Sequence, residues 1–453
     1  MSRTSLNSME ARAVSGLAGL YGLRMLGLFM VLPVLPLLLE DFNQATPLAI
    51  GLAIGIYGFT QALLQLPFGL LSDHLGRKPL IYFGLAIFAL GSLVAALADS
   101  LWLIILGRAL QGMGAIASVI MALLADLTRD EKRTQAMATV GISIGLAFIA
   151  AMALGPWLAG WLGLSGIFWL TAVLSLFGML VLWRWVPTPA RVRKHYDAGI
   201  DLTQLGPVAK HPQLLRLDLS ILLLHLVLTG IFIAVPGLLV EAGWELAQQG
   251  WIYLISMLLG FFAMIPLIIY GEKKRKMKTV LLLGFVLLAT GLFVMGWHPL
   301  GLLLGLMIFF TGFNLLEASL PSLISKQAPV VAKGTAMGLY STSQFFGAFL
   351  GGVLGGWLLG WLGAEGVLFS AAGLTLLWVL GLLGFQQPRH LSSRIFHLPS
   401  LQTKELASFQ QELEQLEGVE EVVFLVTEST AYLKLDRSQL DEQALDDLLA
   451  SRA

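Results

Sequence analysis

The chain has 453 residues, 57% of them hydrophobic and only 12% charged, with mean hydropathy +0.81. A water-soluble domain carries about 25% charged residues, so this composition excludes a chain dissolved chiefly in water. The absence of Cys excludes disulfides and thiolate metal sites. A net charge of zero conceals an asymmetry, with acids in excess after Arg394 and bases in excess before it.

A helix needs about 20 apolar residues to cross the hydrocarbon of a bilayer. Twelve stretches meet that requirement: 13–39, 48–71, 79–98, 101–125, 135–160, 165–186, 214–240, 250–270, 279–296, 301–325, 335–361 and 366–386. Each is read as one transmembrane helix, which makes the body all-α. The first is too long for a cleaved signal peptide and more spans follow, so it is expected to be retained.

The loops between spans alternate in charge. One set carries Arg3, Arg12, Arg77, Lys78, Arg129, Lys132, Arg133, Arg184, Arg191, Arg193, Lys194, Lys210, Arg216, the run Lys273-Lys274-Arg275-Lys276 with Lys278, then Lys326 and Lys333. The other set carries Glu40, Asp41, Asp99, Glu241, Glu245 and Glu365, and no base. The positive-inside rule then places both termini in the cytoplasm.

Ionisable groups at membrane depth are costly and become functional candidates by default. In chain order these are Arg24 in span 1, Arg108 in span 4, His225 in span 7 and Glu317 in span 10. Asp218 sits near the cytoplasmic end of span 7. Glu317 is the one acid well inside a span, so it is read as a proton-coupling candidate, with His225, Arg24 and Arg108 beside it. The plain alternatives are backbone-bonded arginines, a hydrogen-bonded core histidine and a helix-packing acid. Tyr21, Tyr57, Gln61, Gln65, Gln111, Asn314, Ser341, Ser343 and Gln344 are candidates for lining a substrate path. Interhelical hydrogen bonding is their plain alternative. Weak, spread polarity with many aromatics suits small amphipathic compounds.

The chain repeats itself at an offset of about 200 residues. Gly84 answers Gly284, Gly112 answers Gly312, Ala136-Met137 answers Ala336-Met337, Gly155 answers Gly355 and Gly160 answers Gly360. Residues 1–186 and 213–388 are therefore read as two six-helix bundles, joined by the polar linker 187–212, with a substrate path between them.

Three motifs carry a family resemblance. Gly69-Leu-Leu-Ser-Asp73-His-Leu-Gly76-Arg77-Lys78 lies between spans 2 and 3. Arg108-Ala-Leu-Gln111-Gly112-Met-Gly114 lies in span 4, and Gly155-Pro156 with Gly160 in span 5. Together they resemble the major facilitator superfamily, and the third resembles the signature of its drug/proton antiporters, although Ala151 and Ala159 stand where glycines are usual. The resemblance implies proton-coupled secondary transport in a bacterial inner membrane. It implies that Asp73 faces the start of span 11, near Lys333-Gly334-Thr335, as a conformational latch with Gly69 and Gly76, and that Arg77 pairs with Asp126. Gly155, Pro156 and Gly160 also have a helix-packing reading, with Pro156 as a hinge.

The tail, 393–453, changes character. Ile395–Leu398 reads as a strand, Leu406, Phe409, Leu413 and Leu416 recur at helical spacing, and Gly418 suits a helix end. Val422–Thr427 is a second strand. Ala431, Leu433 and Leu435 alternate with Tyr432 and Lys434 as in a half-buried third. Ser438 is placed as the cap of a last helix carrying Leu445, Leu448 and Leu449. The order strand-helix-strand-strand-helix resembles a small α+β ferredoxin-like module, similar to metal-chaperone domains but without their Cys pair. Lone His390 and His397 read as surface residues. Regulation, self-association and an inert appendage all remain open for the tail.

No phosphate-binding loop, nucleophile elbow or clustered ligand set occurs, so no enzyme, cofactor, metal or nucleic-acid partner is expected. The expected partners are a small-molecule substrate, protons and the lipid bilayer. Two other readings stand beside proton-coupled efflux. One is metabolite–proton symport. The other is a membrane sensor with a ligand-binding tail.

Overall fold

The computed structural model describes residues 6–189, 199–297, 301–387, 391–397, 403–425, 430–436 and 439–451. The bases Arg3, Arg191, Arg193 and Lys194, and His390, Leu398, Thr427 and Ser438 of the tail reading, lie outside them.

The body consists of α1 (Ser8–Met30), α2 (Leu35–Leu39), α3 (Pro47–Leu75), α4 (Arg77–Ala96), α5 (Leu101–Met113), α6 (Ala117–Asp126), α7 (Asp130–Arg184), α8 (Leu202–Lys210), α9 (Pro212–Glu241), α10 (Leu246–Lys273), α11 (Met277–Trp297), α12 (Gly301–Gln327) and α13 (Lys333–Leu382). Among the described residues, ten helical segments are long and apolar enough to cross a membrane. Two of them, Lys132–Arg184 and Val330–Leu382, have 53 residues each. At 1.5 Å per residue each has about 80 Å of helix, against a hydrocarbon core of about 30 Å.

Both long elements double back at a glycine. Gly163 (φ 65°, ψ −174°) breaks α7 and Gly363 (φ 72°, ψ −179°) breaks α13, each in the left-handed region of φ that favours glycine. Both ends of α7 return to the start of α1. Arg12 Nη2 donates to the Arg184 carbonyl (2.6 Å), and Glu10 receives the backbone N–H (3.0 Å) and Nε (2.8 Å) of Arg129. The two glycines are 200 positions apart, and the Trp157–Trp161 and Trp357–Trp361 ring pairs before them both sit at 6.0 Å. The sequence repeat is thus a structural repeat.

Two expected helices are interrupted. Span 1 breaks at 31–34 before α2, where Pro33 and Pro36 cannot sustain an uninterrupted ladder. Span 4 breaks between α5 and α6 at Gly114-Ala115-Ile116, and the Gly114 carbonyl turns to a side chain described below. A broken helix survives at membrane depth only where neighbours bond the freed backbone groups.

Large apolar residues cover the outside, with Trp161, Trp183, Trp297 and Trp361 all more than 70% exposed. Such a surface suits lipid, and tryptophans collect at its two interfaces. Inside, the halves touch most closely at the end opposite the basic loops. A Cβ on Gly352 of α13 would lie 2.5 Å from the Gly51 carbonyl and 2.7 Å from Gly55 Cα, both on α3. Likewise Gly250 of α10 packs on the Ala153 backbone of α7.

The tail folds as β1 (Leu391–His397), α14 (Thr403–Glu414), β2 (Val419–Leu425), β3 (Thr430–Asp436) and α15 (Glu442–Ser451). The strands form one antiparallel sheet in the order β1-β3-β2, with Phe396 and Phe424 both opposite Ala431. Phe409, Leu413, Val422, Leu433, Leu435 and Leu445 make its core. Gly418, expected to end the helix, instead takes φ 88° in the turn before β2, four residues past the end of α14.

The alternation expected in β3 needs correction, because Tyr432 and Lys434 are buried as well. Their face of the sheet rests on the turn between α12 and α13. Tyr432 packs with Val330, Lys434 Nζ donates to the Ala328 carbonyl (2.7 Å), and Glu421 accepts the Val330 N–H (3.4 Å). Burial holds the Lys434 ammonium below its ordinary pKa, against the opposing pull of Glu421 3.6 Å away. Replacing Glu421 with Gln removes that compensation. The near-isosteric change is expected to weaken docking by about 1–3 kcal/mol, read as faster amide exchange at Val330; unchanged exchange would sink it.

Candidate functional site

Each half holds a polar cluster, buried in the first half and half-buried in the second. In the first half, α1 supplies Arg24, α3 supplies Tyr57, Gln61 and Gln65, and α5 supplies Arg108 and Gln111. Arg24 Nη2 donates to Tyr57 Oη (3.0 Å), Gln61 Oε1 (2.8 Å) and the Gly114 carbonyl freed by the α5–α6 break (2.8 Å). Tyr57 Oη donates to Gln61 Oε1 (2.6 Å), and Gln61 Nε2 to Gln65 Oε1 (3.5 Å). Arg108 Nη1 donates to Gln111 Oε1 (2.7 Å) and its Nε to the Ala53 carbonyl (3.4 Å). Each guanidinium lies over a ring, Arg24 over Phe88 and Arg108 over Tyr57. Tyr21 is buried in the same core. The cluster holds two buried guanidinium groups through carbonyl oxygens, the Tyr57 hydroxyl and π faces.

In the second half, α9 supplies His225, α12 supplies Glu317 and Asn314, and α13 supplies Gln344. Gln344 Nε2 donates to Glu317 Oε1 (3.3 Å) and lies 2.9 Å from His225 Nε2. His225 Nδ1 is 3.3 Å from the Ile221 carbonyl. One assignment satisfies all three contacts: Nδ1 carries the hydrogen and Nε2 accepts. Glu317 Oε2 is 3.9 Å from His225 Nε2 and has no hydrogen-bond partner, although the carboxylate side chain is 37% exposed. A proton arriving there finds an acceptor oxygen with no competing donor. Asn314 turns away and donates to the Met257 carbonyl of α10 (3.3 Å). Ser341 and Ser343 are half-buried on α13.

Aromatic rings join the halves. Phe29 of α1 meets Phe148 of α7 (4.7 Å), Phe148 meets Phe313 of α12 (5.8 Å), and Phe313 meets His225 (6.1 Å). Tyr57 meets Phe345 of α13 at 6.4 Å. Sequence reasoning missed this bridge, because aromatic residues are common in every span and nothing local marks the ones that meet.

At the basic end, Arg77 reaches the expected Asp126 and also Asp73. It pairs with Asp73 and Ser72, and its Nε lies 3.2 Å from Asp126 Oδ2. Asp73 is thus directed at Arg77 in its own half rather than at the start of α13. The first turn of α13 meets the linker instead, where Thr335 Oγ1 accepts the Asp201 N–H (2.9 Å) and donates to its carbonyl (3.3 Å). Ile200 fills the space that Gly69 and Gly338 leave open between α3 and α13. A linker residue standing between two spans has no periodic signal, so sequence reasoning could not find it. Gly76, at φ 91°, makes the sharp turn from α3 into α4.

In α7, Gly155 lets the backbone of Met30 approach, with a Cβ there 2.5 Å from the Met30 carbonyl. The helix continues through Pro156, and the backbone departs from helical values at Gly163. Gly160 faces Ala247 of α10.

Comparison with known proteins follows the same outline. The family model of the Major Facilitator Superfamily matches residues 17–277 and 217–417. The chain is 46% identical to the inner membrane transport protein YajR of Escherichia coli K12 over 397 residues, 86% of this chain and 87% of that one. It is 25% identical over 299 residues, 64% of this chain and 73% of the other, to the multidrug resistance protein MdtH of Yersinia pestis. The solved structure of the human organic anion transporter MFSD10 superposes with a TM-score of 0.64 at 22% identity, over 83% of this chain and all of that one. A twofold-repeated helical body with this motif set and these relatives makes the chain a multi-pass membrane transporter of the major facilitator superfamily.

Proposed function

We propose that this transporter exports small amphipathic compounds from a bacterial cytoplasm in exchange for protons, by alternating access. Counting α7 and α13 as two crossings each and the broken α1–α2 and α5–α6 pairs as one each, the body has twelve. The positive-inside rule then puts both termini in the cytoplasm. The order β1-β3-β2 and the helix positions support a ferredoxin-like tail. A relative named as an inner membrane protein and another named for multidrug resistance support the location and the substrate class.

Glu317 is the proton-coupling group in this reading. The observation that carries it is the free Oε2 of a half-exposed carboxylate facing His225, while Gln344 steadies the other oxygen. Protonation removes the charge, and the halves can then rearrange at lower cost. Arg24 and Arg108 act as fixed charges that shape the N-terminal half, and Tyr21, Tyr57, Gln61, Gln65, Gln111, Asn314, Ser341, Ser343 and Gln344 border the path. Asp73, Gly69, Gly76, Arg77 and Asp126 form the gate at the basic end, with Asp73 leaving Arg77 for the α13 N-terminus in the opposite state. There the unpaired N–H groups of a helix start favour a carboxylate.

Proteoliposomes with an imposed pH gradient test this with a panel of lipophilic cations and neutral drugs. The wild type is expected to drive flux of at least one compound. Glu317→Gln should lose the gradient-driven part by about a hundredfold, whereas Asp73→Asn should slow turnover and keep coupling. Full gradient-driven flux in Glu317→Gln would remove Glu317 from the role.

A further inference from the structure

Below the Glu317 cluster, toward the basic end, the structure holds a second acid that the reading above does not use. Asp218 of α9 is 6% exposed, and its Oδ1 has no hydrogen-bond partner. Tyr340 of α13 is 3% exposed, and its hydroxyl has none either. Ser319 and Thr342, on α12 and α13, carry further unpartnered buried hydroxyls. Buried polar atoms are seldom left unpaired, and a run of them between packed helices marks a track that holds exchangeable water.

Helix geometry lines these groups up. Both α9 and α13 start at the basic end and pack along each other. Asp218 precedes His225 by seven residues, two turns on the same face, or about 10 Å. Tyr340 precedes Gln344 by four, one turn, or about 6 Å. His225 and Gln344 both touch Glu317, so Asp218 and Tyr340 stand beneath it in the basic-end direction. Tyr340 lies within electrostatic reach of both carboxylates.

We propose that Asp218 is a second proton-carrying carboxylate, joined to Glu317 through the Tyr340 hydroxyl and internal water, and that this track carries protons between Glu317 and the basic-end solvent. The step conserves protons. Glu317 releases its proton to water; Tyr340 Oη accepts one as its own O–H proton passes on toward Asp218. The phenol is neutral before and after, and Asp218 discharges to solvent. The proposal rests on Glu317 as the coupling group, and its test separates the two.

Infrared difference spectra of the full chain in liposomes read the protonated carboxyl stretch during pH steps and after exchange into heavy water. Two buried carboxyl signals are expected, one lost in Glu317→Gln and the other in Asp218→Asn. Tyr340→Phe should keep both signals and slow deuterium exchange at Glu317 by about tenfold or more. Thermal unfolding of the near-isosteric Asp218→Asn and Tyr340→Phe variants checks that each is folded. If Glu317→Gln removes no signal, the coupling group is wrong and the track falls with it. If Glu317→Gln removes a signal but Asp218→Asn removes none, or Tyr340→Phe exchanges at the wild-type rate, the track alone is overturned.

Discussion

Cysteines placed at Pro47 and Gly360 are expected to join spontaneously and to arrest transport. A Cβ built on Gly360 lies 3.8 Å from the Pro47 Cβ, inside the range of about 3.5–4.5 Å that disulfides require. The chain has no other Cys to compete. Neither change breaks a helix: Thr46 Oγ1 still caps α3 by accepting the Ala49 N–H (3.2 Å), and Gly360 has room for a side chain. The bond would tie α3 to α13 where the halves meet at the end away from the basic loops. Alternating access requires the halves to part there once per cycle. Flux of a compound that the unmodified chain carries should fall at least about tenfold, about 1.4 kcal/mol in the limiting barrier, and return with reductant. Oxidised protein that transports at the normal rate would mean that these ends never separate.

Arg77→Ala is expected to be the most destabilising single change at the basic end. The guanidinium and the Asp126 carboxylate are both almost fully buried, at 2% and 0% side-chain exposure. Arg77→Ala takes one charged partner from a carboxylate that stays buried in a medium that solvates it poorly, at a cost of about 1–3 kcal/mol. Asp73 and Ser72 lose the same partner. Adding Asp126→Asn to Arg77→Ala should recover part of the loss, because a buried neutral amide suffers less than a buried carboxylate from losing the guanidinium. Thermal unfolding in detergent of the two single variants and the double reads this directly. Equal melting of Arg77→Ala and wild type would make the pair a bystander, and a double variant no better than Arg77→Ala would place the loss elsewhere.

The positions where local reading and structure part have a common character. The break at Gly114 lies inside a run that is apolar from end to end, and hydropathy has no view of it. Its use becomes visible only when Arg24, 90 positions earlier, is seen bonded to that carbonyl. The gaps at 161–164 and 362–365 were legible between apolar stretches, but the left-handed backbone at Gly163 and Gly363 that breaks each long helix there was not. Tyr432 and Lys434 alternate with core residues and so look solvent-facing. They are buried because a turn of the membrane body covers that side of the sheet. His225, Glu317 and Gln344 were each legible as polar residues in apolar spans, but their meeting was not. Helix rotation decides it, and hydropathy is blind to rotation.

By itself the sequence determined the solvent, the number and positions of the apolar stretches, the alternation of basic and base-free loops, and the twofold repeat. Each of these follows from local composition and spacing, since transfer into lipid acts residue by residue. The tertiary structure alone decided which polar groups meet, that Asp73 turns to Arg77 while Ile200 stands between α3 and α13, that Asp218 and Tyr340 line up beneath Glu317, and that the tail is docked. Those are contacts between segments tens to hundreds of residues apart, set by helix rotation and packing, and no single stretch of chain contains the information that fixes them.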